Sequence, residues 1–105
     1  MASTAKIGGS EILLADGALG PFVGAATDEV VHGTYRRTGT WAPDLLHLLC
    51  EDLLPAEGTL LDIGANIGLV SVPATERTGI RTLAFEPDPR NAELLRRNVA
   101  LHGLE

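Results

Sequence analysis

Leucines spaced three and four residues apart between positions 43 and 54 predict the first helix of the chain. The leucines that share this helical face are Leu46, Leu49 and Leu53. Pro43 suits the first helical turn, and Pro55 with Gly58 interrupts the pattern. We therefore predict a helix that begins at Pro43 and stops before Pro55.

Two compact apolar runs, each followed by a helical pattern, occupy the later part of the chain. Residues 59–64 suit a strand buried on both faces of a parallel sheet, and 81–86 are predicted as a second strand. Helices are predicted over 67–78 and 89–102, because apolar residues share one face in each and a glycine follows. Pro73 falls beyond the first turn of the earlier helix, where we expect it to remove a hydrogen bond or kink the helix. Two consecutive strand–helix units require a parallel sheet.

The first 40 residues lack a clear period and are predicted to form an N-terminal extension. Residues 1–10 are small and polar, and we expect a loosely attached end there. From Glu11 to about Arg37, short apolar groups alternate with glycines, which is typical of short strands joined by turns. The chain is therefore divided into an extension with short strands, 1–40, and a domain that holds the strand–helix units, 41–105.

A parallel sheet of only two strands leaves its edges and one of its faces uncovered. The chain ends two residues after the glycine that follows the last helix, where the next strand of such a sheet is expected. The expected fold class is therefore α/β: the N-terminal portion of a doubly wound parallel sheet, preceded by a helix and a short-stranded segment. The exposed sheet edges predict either a molten monomer or association through those edges, with a second copy or with a complementing chain.

The charge and composition of the chain exclude several classes of binding partner. Eight basic and fourteen acidic residues give a net charge of −6, with no basic patch, which argues against nucleic acid or an anionic membrane as a partner. The single Cys50 excludes an internal disulfide and a cysteine-rich zinc site, and the three histidines lie far apart, so no metal site is expected. No apolar run approaches the roughly 20 residues of a membrane span. A cytoplasmic location is expected.

The residues at the two strand ends suit a nucleotide ligand. In the stretch 60–68, Asp62 ends the first strand, Gly64 has no side chain to block a ligand, and Gly68 lets the next helix pack closely. The helix N-terminus adds free N–H groups, so the loop suits an anionic or polar ligand group against its backbone. Glu86 ends the second strand, where a carboxylate accepts both hydroxyls of a ribose laid across the strand ends.

The glycine spacing separates classes of nucleotide. Gly64, Asn66 and Gly68 form a G-x-N-x-G pattern, and Leu69 takes the position of the last glycine in the dinucleotide pattern G-x-G-x-x-G. The hypothesis of an NAD-binding oxidoreductase is therefore less well supported than that of another nucleotide ligand. A P-loop is excluded, because neither Gly-Lys-Ser nor Gly-Lys-Thr occurs.

The segments DIGANIG, 62–68, and AFEPDPRNAELLRRNVALHGL, 84–104, resemble the FkbM-type family of S-adenosylmethionine-dependent methyltransferases, within the Rossmann-like class. The similarity covers roughly residues 40–105. It implies a partial domain that binds S-adenosyl-L-methionine, with Glu86 on the ribose hydroxyls and Pro87 near the adenine. The loop around the methionine part of the cofactor would be formed by Asp62, Gly64, Ala65, Asn66 and Gly68.

The resemblance also implies the activity, which is methyl transfer to a hydroxyl of a small molecule or sugar. Family members are much longer, and their later strands supply the acceptor site and any catalytic base, so no catalytic residue is assigned here. Trp41 and Ala42 stand where family members often carry an aromatic residue and a glutamate. The alternative is a truncated, non-catalytic fragment that binds adenosyl ligands weakly or docks a partner.

Other polar and aromatic residues receive structural roles. Asp88 is predicted to cap the last helix, Trp41 and Tyr35 to anchor the core, and Cys50 to pack within a helix. The histidines are assigned to packing or to the surface rather than to catalysis.

Overall fold

The computed structural model describes residues 4–7 and 10–105. The strands are β1 (Thr4–Ile7), β2 (Ser10–Gly17), β3 (Gly20–Ala25), β4 (Thr59–Ile63) and β5 (Arg81–Phe85). The helices are α1 (Val31–Thr38), α2 (Pro43–His47), α3 (Ser71–Thr78) and α4 (Pro89–Leu101). A π-helical segment, Leu48–Leu53, continues α2 directly.

The strands form two small sheets within a mixed α/β fold. Strands β1, β2 and β3 form an antiparallel sheet in that order, and β4 pairs with β5 in parallel. The two predicted strand–helix units and their parallel pairing are confirmed. The loosely attached end predicted for 1–10 is wrong for Thr4–Ile7, because the backbone of this strand pairs with β2. Residues 1–3 and 8–9 lie outside the described residues.

Helix α1 replaces the short strands predicted up to Arg37. The Asp28 carboxylate starts this helix by accepting hydrogen bonds from three successive backbone N–H groups, those of Val30, Val31 and His32. Gly39 ends it in the left-handed region, at φ 72°. Valine and glycine are weak helix formers, so the local sequence does not predict this helix. Capping and packing stabilise it instead.

The helix predicted from Pro43 changes its winding at Leu48. In the π-helical segment, the N–H of Leu54 donates to the carbonyl of Leu49 at 2.9 Å, five residues back. This wider winding moves Leu53 off the buried face that a 3.6-residue period predicts, and Leu53 is 60 % exposed. Leu46, in the regular part, is fully buried as predicted.

Helix α3 begins at Ser71, four residues later than predicted from the apolar pattern. Pro73 is therefore the third residue of the helix. Backbone N–H groups in the first helical turn have no partner within their helix, so a proline is tolerated there. The kink or lost hydrogen bond expected at Pro73 is thus wrong.

One hydrophobic core draws on both the antiparallel sheet and the strand–helix units. Its buried members are Ile12, Leu19, Phe22, Tyr35, Leu46, Ile67, Leu69, Val72 and Leu94. The Tyr35 hydroxyl accepts from the N–H groups of Gly17 and Leu19 and donates to the carbonyl of Gly20, at 3.1, 3.0 and 2.6 Å. Burial raises the pKa of this phenol. Tyr35 is a core anchor as predicted, and Trp41 packs partly buried against the same core.

The parallel pair is covered on one face only. On the covered face, α3 bonds to the strands through Ser71 to Asp62 and through Thr75 to Thr82. The apolar residues of the opposite face, called the open face below, are Leu61, Ile63, Leu83 and Phe85. These side chains are between 39 and 73 % exposed, so burial of the first strand on both faces is wrong for this chain.

None of the helices in the described ranges is long and apolar enough to cross a membrane.

Candidate functional site

The two predicted motifs meet because β4 and β5 run in parallel and end side by side. Ile63, the last residue of β4, is paired in register with Phe85, the last residue of β5. Just beyond the strands, the N–H groups of Gly64 and Ala65 both donate to the carbonyl of Phe85, at 2.8 and 3.0 Å. The loop that follows β4, residues 64–68, is therefore closed onto the end of β5.

Glu86 joins this loop to the turn that follows β5. Its Oε1 accepts from the N–H of Asn66 at 2.8 Å, and its Oε2 accepts from the N–H of Asp88 at 3.0 Å. Asn66 adopts a left-handed backbone conformation, with φ 56°. A carboxylate has about four acceptor positions, so Glu86 retains capacity for two further donors.

Several N–H groups of the loop already have hydrogen-bond partners within the chain. Four of its N–H groups bond within the chain: those of Gly64 and Ala65 to Phe85, that of Asn66 to Glu86, and that of Gly68 to Ala65. Free N–H groups were expected at the N-terminus of the helix predicted from Ile67, and this expectation is wrong at Gly68, whose N–H closes the tight turn. The Oδ1 atom of Asn66 is buried without a donor in the part of the chain that the structure describes. The loop therefore has fewer N–H groups available to an anionic ligand group than the sequence predicts.

Asp62 and Gly68 have structural contacts. Asp62 lies on the covered face of β4 and accepts a hydrogen bond from the buried hydroxyl of Ser71. A Cβ atom at Gly68 would lie 2.8 Å from Cδ1 of Leu95 in α4 and 3.4 Å from Cγ2 of Val72 in α3. The close packing expected of Gly68 is confirmed, and it involves both helices.

A cavity of about 630 Å³ lies at the strand ends, a volume in the range of small-molecule sites. Three of the predicted site residues line it: Gly64, Glu86 and Pro87. Its other walls are Ile63, Ala84, Phe85, Ala92, Leu95 and Arg96. The structure thus brings the ribose-binding carboxylate of the hypothesis, one loop glycine and the proline expected near adenine around one space.

Two other cavities are less consistent with the prediction. One of about 250 Å³ is lined by Asn66 together with Asp28, Asp88 and Asn91. The larger, of about 690 Å³, lies between α3, β5 and α4 and includes none of the predicted site residues. The cavity at the strand ends is therefore the candidate site. It is chosen for the residues that line it and not for its volume.

Asn98 is the residue next to the site that sequence reasoning missed. It is fully buried in α4 and bonds to both the loop and the antiparallel sheet, although the sequence predicts a face made of Leu95, Val99 and His102. The available signal was an uncharged polar residue between Leu94, Leu95 and Val99. Asp88 caps α4 as predicted, accepting from the N–H groups of the next helical turn.

Comparison with protein-family models, with curated proteins and with solved structures finds no match to this chain. The function is therefore inferred from the strand-end cavity and its surroundings.

Proposed function

We propose that this chain is the cofactor-binding part of an S-adenosyl-L-methionine-dependent methyltransferase with a Rossmann-like fold. The methyl acceptor is a hydroxyl of a small molecule or sugar, and the location is cytoplasmic. The observation that carries the proposal is the carboxylate of Glu86, which directly follows β5, bonds to the glycine loop and lines the strand-end cavity. A carboxylate at that point of a parallel sheet is suited to accepting the two hydroxyls of a ribose.

The hydrogen-bonding character of the site supports an adenosyl ligand over a dinucleotide. A pyrophosphate needs free backbone N–H groups, and four N–H groups of the loop are already bonded within the chain. S-adenosylmethionine brings ribose hydroxyls, an ammonium group and a positive sulfonium. The Glu86 carboxylate in the wall of the strand-end cavity attracts a positive group and repels a phosphate.

The residues present would divide the binding of such a cofactor among them. Glu86 would accept the ribose hydroxyls, and Pro87 with Ile63 would form an apolar wall for the adenine. Asn66 would shape the loop around the methionine part, since its backbone is left-handed and its N–H bonds to Glu86. The bound cofactor supplies a methyl group that its sulfonium makes electrophilic, so the protein has to orient the reactants and exclude water. None of the described residues is assigned as a base.

A non-catalytic fragment that binds an adenosyl ligand or docks a partner is the second candidate. The observation that favours it is the open face, since four large apolar side chains on one face of the parallel pair are left in contact with solvent. Saturable cofactor binding without methyl transfer to any hydroxyl compound would favour this candidate.

The test is calorimetric titration of the folded chain with S-adenosylhomocysteine, compared with Glu86→Gln and Glu51→Gln. Both variants lose one negative charge, and Glu51 is an exposed residue of the π-helical segment. We expect saturable binding by the wild type and by Glu51→Gln. We expect binding at least about tenfold weaker in Glu86→Gln, because hydrogen bonds to a charged group are worth about 1.5–3 kcal/mol.

Two outcomes would contradict the proposal. One is a folded wild-type chain, shown by circular dichroism, that does not bind S-adenosylhomocysteine. The other is NAD displacing the ligand at lower concentration than S-adenosylmethionine does, which would return the chain to the dinucleotide-binding class.

A further inference from the structure

Asn98 pairs with the edge of the antiparallel sheet as a neighbouring strand would. Its Oδ1 accepts from the N–H of Val23 at 2.7 Å, and its Nδ2 donates to the carbonyl of Val23 at 3.0 Å. Val23 belongs to β3, the edge strand of that sheet. The side-chain amide thereby satisfies both backbone groups of one edge residue.

The same amide also reaches the loop of the candidate site. Its Nδ2 donates a second hydrogen bond, at 2.8 Å, to the carbonyl of Ile67. Asn98 and Ile67 are both fully buried. No polar group of the Asn98 amide is left unpaired. The bond to Ile67 is buried and the two bonds to Val23 are partly buried. The loss of a buried hydrogen bond is the most costly.

The peptide unit held by Asn98 sets the shape of the loop. The carbonyl of Ile67 and the N–H of Gly68 belong to one planar peptide. Asn98 holds the carbonyl end of this peptide, and the N–H end donates to the carbonyl of Ala65 at 3.1 Å. The orientation of the peptide therefore fixes the turn that presents Asn66 to Glu86.

We propose that Asn98 is a positioning residue through which the antiparallel sheet controls the affinity of the strand-end site for its adenosyl ligand. This inference rests on the proposed function. Without the amide, the Ile67 carbonyl and both polar groups of Val23 lose a buried partner, and the loop is free to rotate its peptide. Ligand binding at the loop is in turn expected to change the environment of the Val23 backbone, since coupling between two sites is reciprocal.

The experiment compares wild type, Asn98→Ala and Tyr35→Phe by calorimetry with S-adenosylhomocysteine. Tyr35→Phe is the matched control, since it removes buried hydrogen bonds to the same antiparallel sheet without reaching the loop. Both variants are expected to lose stability. Only Asn98→Ala is expected to bind about tenfold more weakly, within the usual range of coupling between sites.

A spectroscopic readout separates positioning from stability. In the wild type, saturation with S-adenosylhomocysteine is expected to move the NMR amide resonance of Val23 more than that of Leu14, its partner on β2. If Asn98→Ala does not fold, this wild-type titration decides alone. A Val23 resonance that stays in place, or an affinity of Asn98→Ala equal to that of Tyr35→Phe, would overturn the inference and leave the proposed function intact. Failure of the wild type to bind would overturn both.

Discussion

At the scale of single residues, His32 shows how packing fixes a protonation state. Its ring is fully buried, and its two nitrogens lie 2.7 Å from the carbonyl of Phe22 and 2.6 Å from the Arg36 guanidinium. Because a guanidinium only donates, the Nδ1 atom accepts and the Nε2–H group donates, which requires the neutral ring. Burial lowers the pKa of His32 and the charge of Arg36 lowers it further, against opposing effects of the Phe22 carbonyl and Asp28.

The lowered pKa of His32 predicts a loss of stability in acid. In the unfolded chain this histidine titrates near about pH 6.5, so below that pH the unfolded state binds the extra proton first. The contribution of His32 is fully present above that pH and is lost as the pH falls through the folded-state pKa. Urea denaturation at about pH 7.5 and about pH 5 should show a smaller decrease for His32→Gln than for the wild type.

His47→Gln is the control for this experiment, because His47 is exposed in α2. Its decrease should match that of the wild type. An equally steep decrease in His32→Gln would contradict the assignment of the acid sensitivity to His32.

The strand-end residues were predictable from the sequence only where backbone topology alone positions them. Parallel strands bring their carboxyl ends together, so the meeting of Gly64, Glu86 and Pro87 followed from the strand assignments. The partner of Asp62 could not be predicted, because Ser71 reaches it only once α3 is packed on the sheet. Asn98 was missed for the same reason, since its partners lie 31 and 75 residues away.

At the scale of elements, β3 and α1 approach so closely that one added methyl group at their contact would cause a steric clash. A Cβ atom at Gly24 would lie 2.2 Å from Cγ of the His32 ring, and the ring cannot retreat from its place in the core. The glycine is thus required by space.

We therefore expect Gly24→Ala to destabilise the chain by about 1–3 kcal/mol or more, as overpacking of a core does. The measurement is urea denaturation of a double-mutant cycle with His32→Gly, because the Cβ of His32 would also lie only 2.5 Å from the added Cβ. With the whole side chain removed, the alanine no longer meets His32, so Gly24→Ala should cost much less in that background. Equal costs in the two backgrounds would mean that the clash is not with His32.

Elements with local start and stop signals were predictable, and those that depend on tertiary contacts were not. Helix α4 has Pro89 at its start, a capping Asp88 before it and Gly103 after it, and its predicted bounds differ by one residue from the observed ones. Helix α1 carries weak helix formers and is stabilised by burial of His32 and Tyr35. That burial depends on tertiary contacts, so the sequence around α1 gives no sign of it.

At the scale of the whole molecule, the open face is an apolar surface that no other part of the described chain covers. Ile63 is 73 % exposed and Phe85 49 %, side by side on adjacent strands. Apolar surface of this kind, next to unpaired strand edges, is a known cause of association between chains.

We expect sedimentation velocity to show concentration-dependent association of the wild type. The variant Ile63→Thr/Phe85→Thr should associate less, because threonine suits a strand while reducing apolar area. The control is Leu101→Thr, which changes a similarly exposed apolar residue on α4 and should behave as the wild type does. A wild-type chain that remains monomeric over the whole concentration range would contradict this expectation.

The bonds from α4 to β3 also determine when the site is formed during folding. Asn98 contacts Val23 across 75 residues, and His102 contacts the carbonyl of Pro21 across 81. Closing such long loops carries an entropic cost that local helices and hairpins do not bear, so these contacts form late. On the ribosome the β2–β3 hairpin is made long before α4 is synthesised, and the loop at 64–68 lacks its Asn98 contact until then. The candidate site is consequently among the last parts of the chain to acquire its native shape.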